Sequence, residues 1–239
     1  KQAIGGMRNP AQSNRRVKGR SKVGPYIANI LSTFLDDHLQ VQKELIESLG
    51  KERKRGPSSK LIHKCRIQVC EAFGIDIVVR VTADCPFVSP EILDYLVKVH
   101  FDSGADYTAA RNAAVGTSGE IINVSALKMI IEKIGRADYS EYMTWYFTNN
   151  PEIFNLKIVD LPDRWSRGYR LTLDYEEDLD LFERLFEKLN PANDFHPLEE
   201  IFKIMDDDPE LSKINEHLEL KYVTDRNLIK LLNDRTRLN

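Results

Sequence analysis

Cysteine is scarce in this chain. Only Cys65, Cys70 and Cys85 occur in 239 residues, too few and too odd a set for a disulfide framework. They lack the paired spacing of a zinc site, so each reads as a plain buried or surface thiol in a reducing compartment, the cytoplasm. No apolar run approaches the about 18–20 residues that a membrane helix needs, and no membrane partner is expected. The basic N-terminus is followed by no apolar signal core; its first residue is Lys rather than Met, so a start further upstream is expected. There is no GxxxxGK(S/T) loop, no GxGxxG fingerprint, no HExxH and no GxSxG. The histidines, His38, His63, His100, His196 and His217, are scattered without metal-ligand spacing. Internal repeats, low-complexity stretches and an evident linker between folded domains are missing too. What remains is an ordinary globular composition, 42% hydrophobic and 30% charged, long enough for a sizeable core.

The net charge of −3 conceals an asymmetry. Residues 1–66 hold fifteen Lys and Arg against five Asp and Glu, about +10, and the remainder holds nineteen against thirty-two, −13. Such a split points to a ligand or partner of defined sign. Residues 1–25 read as an exposed Gly-, Asn-, Ser- and Arg-rich loop. Arg8, Ser13, Arg15, Arg16, Lys18, Arg20 and Lys22 lie there among Gly5, Gly6 and Gly19. A loop of this kind can wrap a polyphosphate with backbone N–H groups and cationic side chains. It can equally be a solvated basic arm that meets nucleic acid, although the acidic remainder of the chain argues mildly against that partner. Arg53, Lys54 and Arg55 add cations in a turn with Gly56 and Pro57, which is otherwise a surface turn.

Past this segment the apolar spacing alternates. Ile27, Ile30, Leu31, Phe34 and Leu35 recur at helical spacing, and Val41 to Leu49 continue it. A further helix runs from a cap at Ser58 or Ser59 through Phe73 and stops at Gly74. Residues 75–82, IDIVVRVT, form the clearest strand: β-branched and apolar on both faces, as a buried parallel strand should be. A helix capped by Ser89 opens on Pro90, buries Ile92, Leu93, Leu96 and Val97, and ends near Gly104. Strands are expected at 105–110, 119–125, 153–160 and 169–174. Helices are expected at 126–134, 139–150, 176–189, 197–206 and 222–233. This order predicts an α/β sandwich with a mainly parallel sheet.

In open α/β sheets the ligand crevice lies beyond the carboxyl ends of the strands. Asp84 follows strand 75–82 after a tight turn fixed by Pro86, and Asp174 closes YRLTLD ahead of a helix. Two carboxylates from different strands can share a hard cation such as Mg²⁺, whose other ligands come from water and substrate phosphates. The plainer alternatives are a turn residue for Asp84 and a helix cap or first-turn acid for Asp174. Trp145, Trp165, Tyr142 and Tyr146 could stack on a base or sugar, but suit a core or interface better.

The segment VVRVTADCPFVSPEILDYLVKVHFDSGADYTA resembles the cytidylyltransferases of the spore-coat polysaccharide biosynthesis protein F type. It is similar to their "RVTGDCP" pattern, an acid-led helix after a proline, and "SGADY". GEIINVSALKMI resembles their next strand and helix, YSEYMTWYFTNNPEIF their "REHVTPYI…NPE" block, and YRLTLDYEEDLDLF their "LRLTVDTPEDLEL". The matches run in order over roughly residues 45–217; Tyr142 stands where His is usual, and Tyr175-Glu176 where Thr-Pro is. More distantly the chain resembles the sialic-acid and octulosonate cytidylyltransferases.

The resemblance implies a Rossmann-like nucleotide-diphospho-sugar transferase fold with helices on both faces of the sheet. It implies transfer of CMP from CTP to an acidic sugar or related acceptor, with Mg²⁺ and release of pyrophosphate, in surface glycan biosynthesis. By motif position Asp84 and Asp174 become the metal carboxylates. Against the family's "ARMGSTRLPGK", the best counterpart is MRNPAQSNRRVKG, with stretched spacing. Arg8, Ser13, Arg15 and Lys18 then stand for the phosphate-gripping residues, Arg8 and Lys18 with catalytic weight. Arg55, Gly56 and Arg80 join them as nucleotide contacts. Alternatives are a nucleotidyltransferase using another triphosphate, or a catalytically degenerate member acting as a binding module. The expected organisation is a nucleotidyltransferase domain over 1–217 and a helical extension over 218–239. The apolar stripe Val223, Leu228, Leu231 and Leu232 of that extension suits docking on its own domain or on a second subunit of a homodimer.

Overall fold

A four-residue strand, β1, Ile77–Arg80, opens the sheet that a computed structural model describes over residues 67–134, 142–190 and 196–238. It follows a helical stretch over 67–72 that stops where sequence reading placed the stop, at Gly74 with φ +62°. The residue expectations made for positions 1–66, including Arg8, Ser13, Arg15, Lys18, Arg55 and Gly56, lie outside the described residues.

Helix α1, Pro90–Ser103, is bounded as its sequence dictates. Ser89 Oγ accepts the Ile92 N–H at 3.3 Å, Pro90 occupies the first turn, and Gly104 closes the end in the left-handed region at φ +61°. It returns the chain to β2, Tyr107–Ala110. The nine residues 111–119 then lead into β3, Glu120–Asn123, and directly into α2, Val124–Ile134. After α3, Thr144–Thr148, comes β4, Leu156–Val159.

The sheet order is β1-β3-β2-β4. β3 pairs antiparallel with both β1 and β2, while β2 and β4 pair parallel. So β1, β2 and β4 share one direction, as the α/β reading expects, and β3 is inserted between β1 and β2 in reverse. This departs from a mainly parallel pairing among the described strands, and the connection explains it. A parallel return needs a crossover of about a dozen residues or more, and 111–119 is too short.

Side chains alternate across the sheet. On one face Ile121 packs with Ile92, Leu96, Leu171, Leu181, Leu185 and Ile201. On the other Ile122 packs with Tyr107, Leu127, Ile130, Tyr146 and Phe147. Helices therefore cover both faces: α1, α4 (Glu176–Lys188) and α5 (Leu198–Asp207) on the first, α2 and α3 on the second. Tyr146 and Trp165 are core residues, as the plainer reading had it, and His100 is a satisfied buried histidine between Thr108 Oγ1 at 2.9 Å and Asn123 Oδ1 at 3.1 Å.

Two further expectations are revised, and one helix is added. Residues 169–174 form no strand of the sheet; Arg170 alone bridges Val115. The helix expected at 139–150 is described only as α3, shorter than its apolar pattern, and 135–141 lie outside the described residues. A short helix, α6, Pro209–Lys213, was not foreseen; Pro209 stands in its first turn.

The C-terminal segment forms α7, Lys221–Thr224, and α8, Arg226–Thr236. It closes on its own domain. Asn149 Nδ2 donates to Thr236 Oγ1 at 2.7 Å, and Asn150 clamps the chain by donating to Thr236 O and accepting the Leu238 N–H, both at 2.8 Å. Leu232 is fully buried and Leu238 enters the second cluster. Among the described residues no helix is long and apolar enough to cross a membrane.

Candidate active site

Beyond the end of β1 the chain turns sharply. The Cys85 N–H donates to Thr82 O at 3.2 Å and the Val88 N–H to Cys85 O at 3.3 Å. Phe87 leaves this turn and stacks on Phe182 of α4, ring centres 5.0 Å apart. The turn that carries Asp84 is thus pinned to the helix that follows Asp174.

Residues 169–173 run extended between two other loops. Val115 donates to Tyr169 O at 2.9 Å, and Leu171 donates to Val115 O at 2.7 Å. The ladder then ends, because the backbone turns to a different partner: the Leu173 N–H donates to Asp84 O at 2.8 Å. The Thr172 hydroxyl reaches the same carbonyl at 3.4 Å. The two acids singled out from sequence therefore sit on segments joined by a direct backbone hydrogen bond. Asp84 is half-buried, and the Asp174 side chain is 42% exposed.

Gly116 makes this approach possible. Its φ is +87°, and a Cβ there would stand 2.0 Å from Leu171 O. Gly116→Ala must strain its own backbone or displace 170–172, because the three nearest atoms it would meet, in Leu171 and Thr172, are all backbone. It is expected to cost about 1–3 kcal/mol, read as a lowered midpoint in urea unfolding; a midpoint equal to the parent's would contradict the assignment.

Asp174 is held from behind. Arg170 Nη2 donates to Asp174 Oδ2 at 2.7 Å, while Arg170 Nε and Nη2 donate to Asp178 Oδ1 and Oδ2 at 2.8 and 2.9 Å. Asp178 is fully buried and the Arg170 side chain 6% exposed. Asp178 also accepts the Asp174 and Tyr175 N–H groups at 3.0 Å and Asn215 Nδ2 at 2.8 Å. Burial alone would raise its pKa, but the hydrogen bonds from Arg170, the Asp174 N–H, Asn215 and the Tyr175 N–H outweigh burial and hold it below the ordinary carboxylate range. The Arg170 guanidinium also lies over the Tyr175 ring, 5.5 Å from its centre.

Cys85 lies within this cluster, its Sγ 3.1 Å from Thr82 Oγ1, 3.5 Å from Asp84 Oδ1 and 3.7 Å from Thr172 Oγ1. Burial pushes its thiol pKa up, so it is a protonated packing group rather than a thiolate nucleophile. Arg80, expected as a nucleotide contact, ends β1 and gives Nη1 to Glu120 Oε2 at 2.5 Å, its register partner on β3. Glu120 also accepts the Tyr107 hydroxyl at 2.6 Å and the Thr144 hydroxyl. The phenol of Tyr107, buried and facing that carboxylate, has its pKa raised.

The donor set of Asp84 and Asp174 is all oxygen and carries two negative charges, which suits a hard divalent cation. Among the described residues no group of three or more His, Cys, Asp or Glu could hold a metal.

Residues 62–207, more than half of the chain, match the protein family described as Cytidylyltransferase. This chain belongs to the cytidylyltransferase family. It is 34% identical over 142 residues to the spore coat polysaccharide biosynthesis protein SpsF of Bacillus subtilis, a match covering 59% of each protein. The chain thus spans somewhat under two thirds of that relative's length. It is 27% identical over 193 residues to an uncharacterized protein of Methanocaldococcus jannaschii, covering 80% of this chain and 78% of that one. The solved structure of a cytidylyltransferase from Leptospira borgpetersenii superposes with a TM-score of 0.58 at 23% identity, over 75% of this chain and 74% of that one. That likeness shows a shared fold, the α/β architecture read from the sequence.

Proposed function

We propose that this chain transfers CMP from CTP to an acidic sugar or related acceptor, releases pyrophosphate, and serves the biosynthesis of a surface polysaccharide. The observation that carries this reading is the hydrogen bond from the Leu173 N–H to Asp84 O, which draws the Asp84 and Asp174 segments to one edge of the sheet. Asp84 and Asp174 are the groups that would hold Mg²⁺, which when bound neutralises phosphate charge and polarises the α-phosphorus. The basic N-terminal segment, through Arg8, Ser13, Arg15, Lys18, Arg55 and Gly56, grips the triphosphate on sequence grounds. An oxygen of the acceptor, anionic or deprotonated, attacks the α-phosphorus in line; the bond from that phosphorus to the bridging oxygen of the β-phosphate breaks, and pyrophosphate leaves. The name of the Bacillus relative supports the polysaccharide assignment, and the free Cys70 and Cys85 suit a cytoplasmic setting.

The test is a thermal-shift panel with the four nucleoside triphosphates and Mg²⁺. CTP should stabilise most, by mass action on the folded state, and EDTA should abolish the shift. A larger shift with another triphosphate overturns the cytidine assignment. A shift with none of the four, together with salt-sensitive RNA binding, overturns the enzymatic reading in favour of a binding module.

A further inference from the structure

The side chains least explained by the reading above are Arg170 and Asp178. Burying an ion pair is expensive, and an apolar pair of the same volume is often as stable or more so. The pair sits directly behind Asp174, and its geometry is specific: one guanidinium spans two carboxylates, and the fully buried one also fixes the backbone N–H groups of 174 and 175. Asn215, from the segment after α6, donates its Nδ2 to Asp178 Oδ1, the oxygen that also accepts Arg170 Nε, at 2.8 Å and to the Arg170 carbonyl at 3.0 Å.

We propose that Arg170 and Asp178 are positioning residues for the Asp174 carboxylate: Arg170 orients it toward the Asp84 turn, and Asp178 cancels the charge of Arg170 so that the site keeps its full attraction for a divalent cation. The inference rests on the assignment of Asp84 and Asp174 as metal carboxylates. Its logic is one of charge. Arg170 and Asp178 together are neutral, so Asp84 and Asp174 present a net charge of two negatives, matched to a divalent ion. Without Asp178 the guanidinium stands uncompensated against Asp174, and the site loses half of that charge. Without the Arg170 fork, Asp174 loses its tether and becomes free to rotate among exposed rotamers.

The experiment measures Mn²⁺ affinity by titration calorimetry on the full chain, with no nucleotide present and the unfolding temperature recorded alongside. The parent chain should bind Mn²⁺, and Asp84→Asn should bind it at least about tenfold more weakly. Failure of those two results overturns the assignment of the metal carboxylates. Asp178→Asn keeps the shape of the side chain and an acceptor for the 174 and 175 N–H groups but removes the charge. It is expected to weaken Mn²⁺ binding by about 10–100-fold. A purely structural role would lower the unfolding temperature and leave the affinity of the folded protein unchanged, so an affinity within twofold of the parent overturns the inference. Should Asp178→Asn not fold, Arg170→Lys decides: it keeps the charge and most of the volume but loses the Nε and Nη2 fork on Asp178 that fixes where the cation meets Asp174. An unchanged affinity in that variant is equally fatal. The parent chain supplies an independent reading by NMR. The Arg170 Nε–H signal, kept from exchange by its buried hydrogen bond to Asp178, should shift on saturation with Mg²⁺, and a signal that does not move overturns the coupling.

Discussion

Asp84→Asn is expected to lower the rate of CTP-dependent pyrophosphate release by about 10²–10³-fold, the range for removing one preorganised electrostatic group from a reacting centre, or about 3–4 kcal/mol of barrier. The fold should not notice. Among the described residues the Asp84 carboxylate accepts only the Cys85 thiol, at 3.5 Å. The contact that joins the two segments uses the Asp84 backbone carbonyl, which asparagine retains. The unfolding midpoint should therefore stay within about 0.5 kcal/mol of the parent, as for substitutions away from buried networks. Full activity in Asp84→Asn would remove Asp84 from the metal site, and a large loss of stability would mean that its side chain holds the turn.

Asp178→Ala should do the reverse and strike stability first. It leaves Arg170, 6% exposed, with a buried charge whose main partner is gone, and it strips the acceptor from the Asp174 and Tyr175 N–H groups and from Asn215. Breaking a buried pair in this way costs about 3–5 kcal/mol, a large share of the about 5–15 kcal/mol that holds an ordinary domain together. Urea unfolding followed by circular dichroism reads it directly. The pH dependence has a definite sign. Asp178 is held below the ordinary carboxylate range in the folded chain, so its contribution is complete above that range and is lost as pH falls through the depressed folded value. The parent chain should therefore lose stability on acidification more steeply than Asp178→Ala; parallel acid profiles would contradict the buried-pair account.

The contrast between these two acids explains how much of the site was legible beforehand. Asp84 and Asp174 stand where strands were expected to end, and the position alone, with the motif around each, marked them. The helix from Pro90 was legible to the residue because Ser89, Pro90 and Gly104 carry its boundaries in their chemistry. Asp178 is harder to read, because it lies inside the helix expected over 176–189. Its signal was present all the same: it shares a buried stripe with Leu181, Phe182 and Leu185 at helical spacing, and a carboxylate on a buried face demands a cation. The partner, Arg170, lies on a segment read as a strand, where nothing in the spacing says which way a guanidinium points. Strand direction was hidden for a similar reason. The apolar residues of β3 look alike whichever way the strand runs, and only the brevity of residues 111–119 tells that it must return antiparallel.

The reversed strand also sets a timetable for synthesis. β1 pairs with β3 and with no other described strand, and the Arg80–Glu120 contact spans 40 residues. While the ribosome is still making α1 and β2, β1 lacks the one described strand it pairs with, which is complete only when Asn123 has emerged. Non-local pairing of this kind is slow, so the β1–β3 ladder is a late step of synthesis, formed only after α1 and β2 have been made.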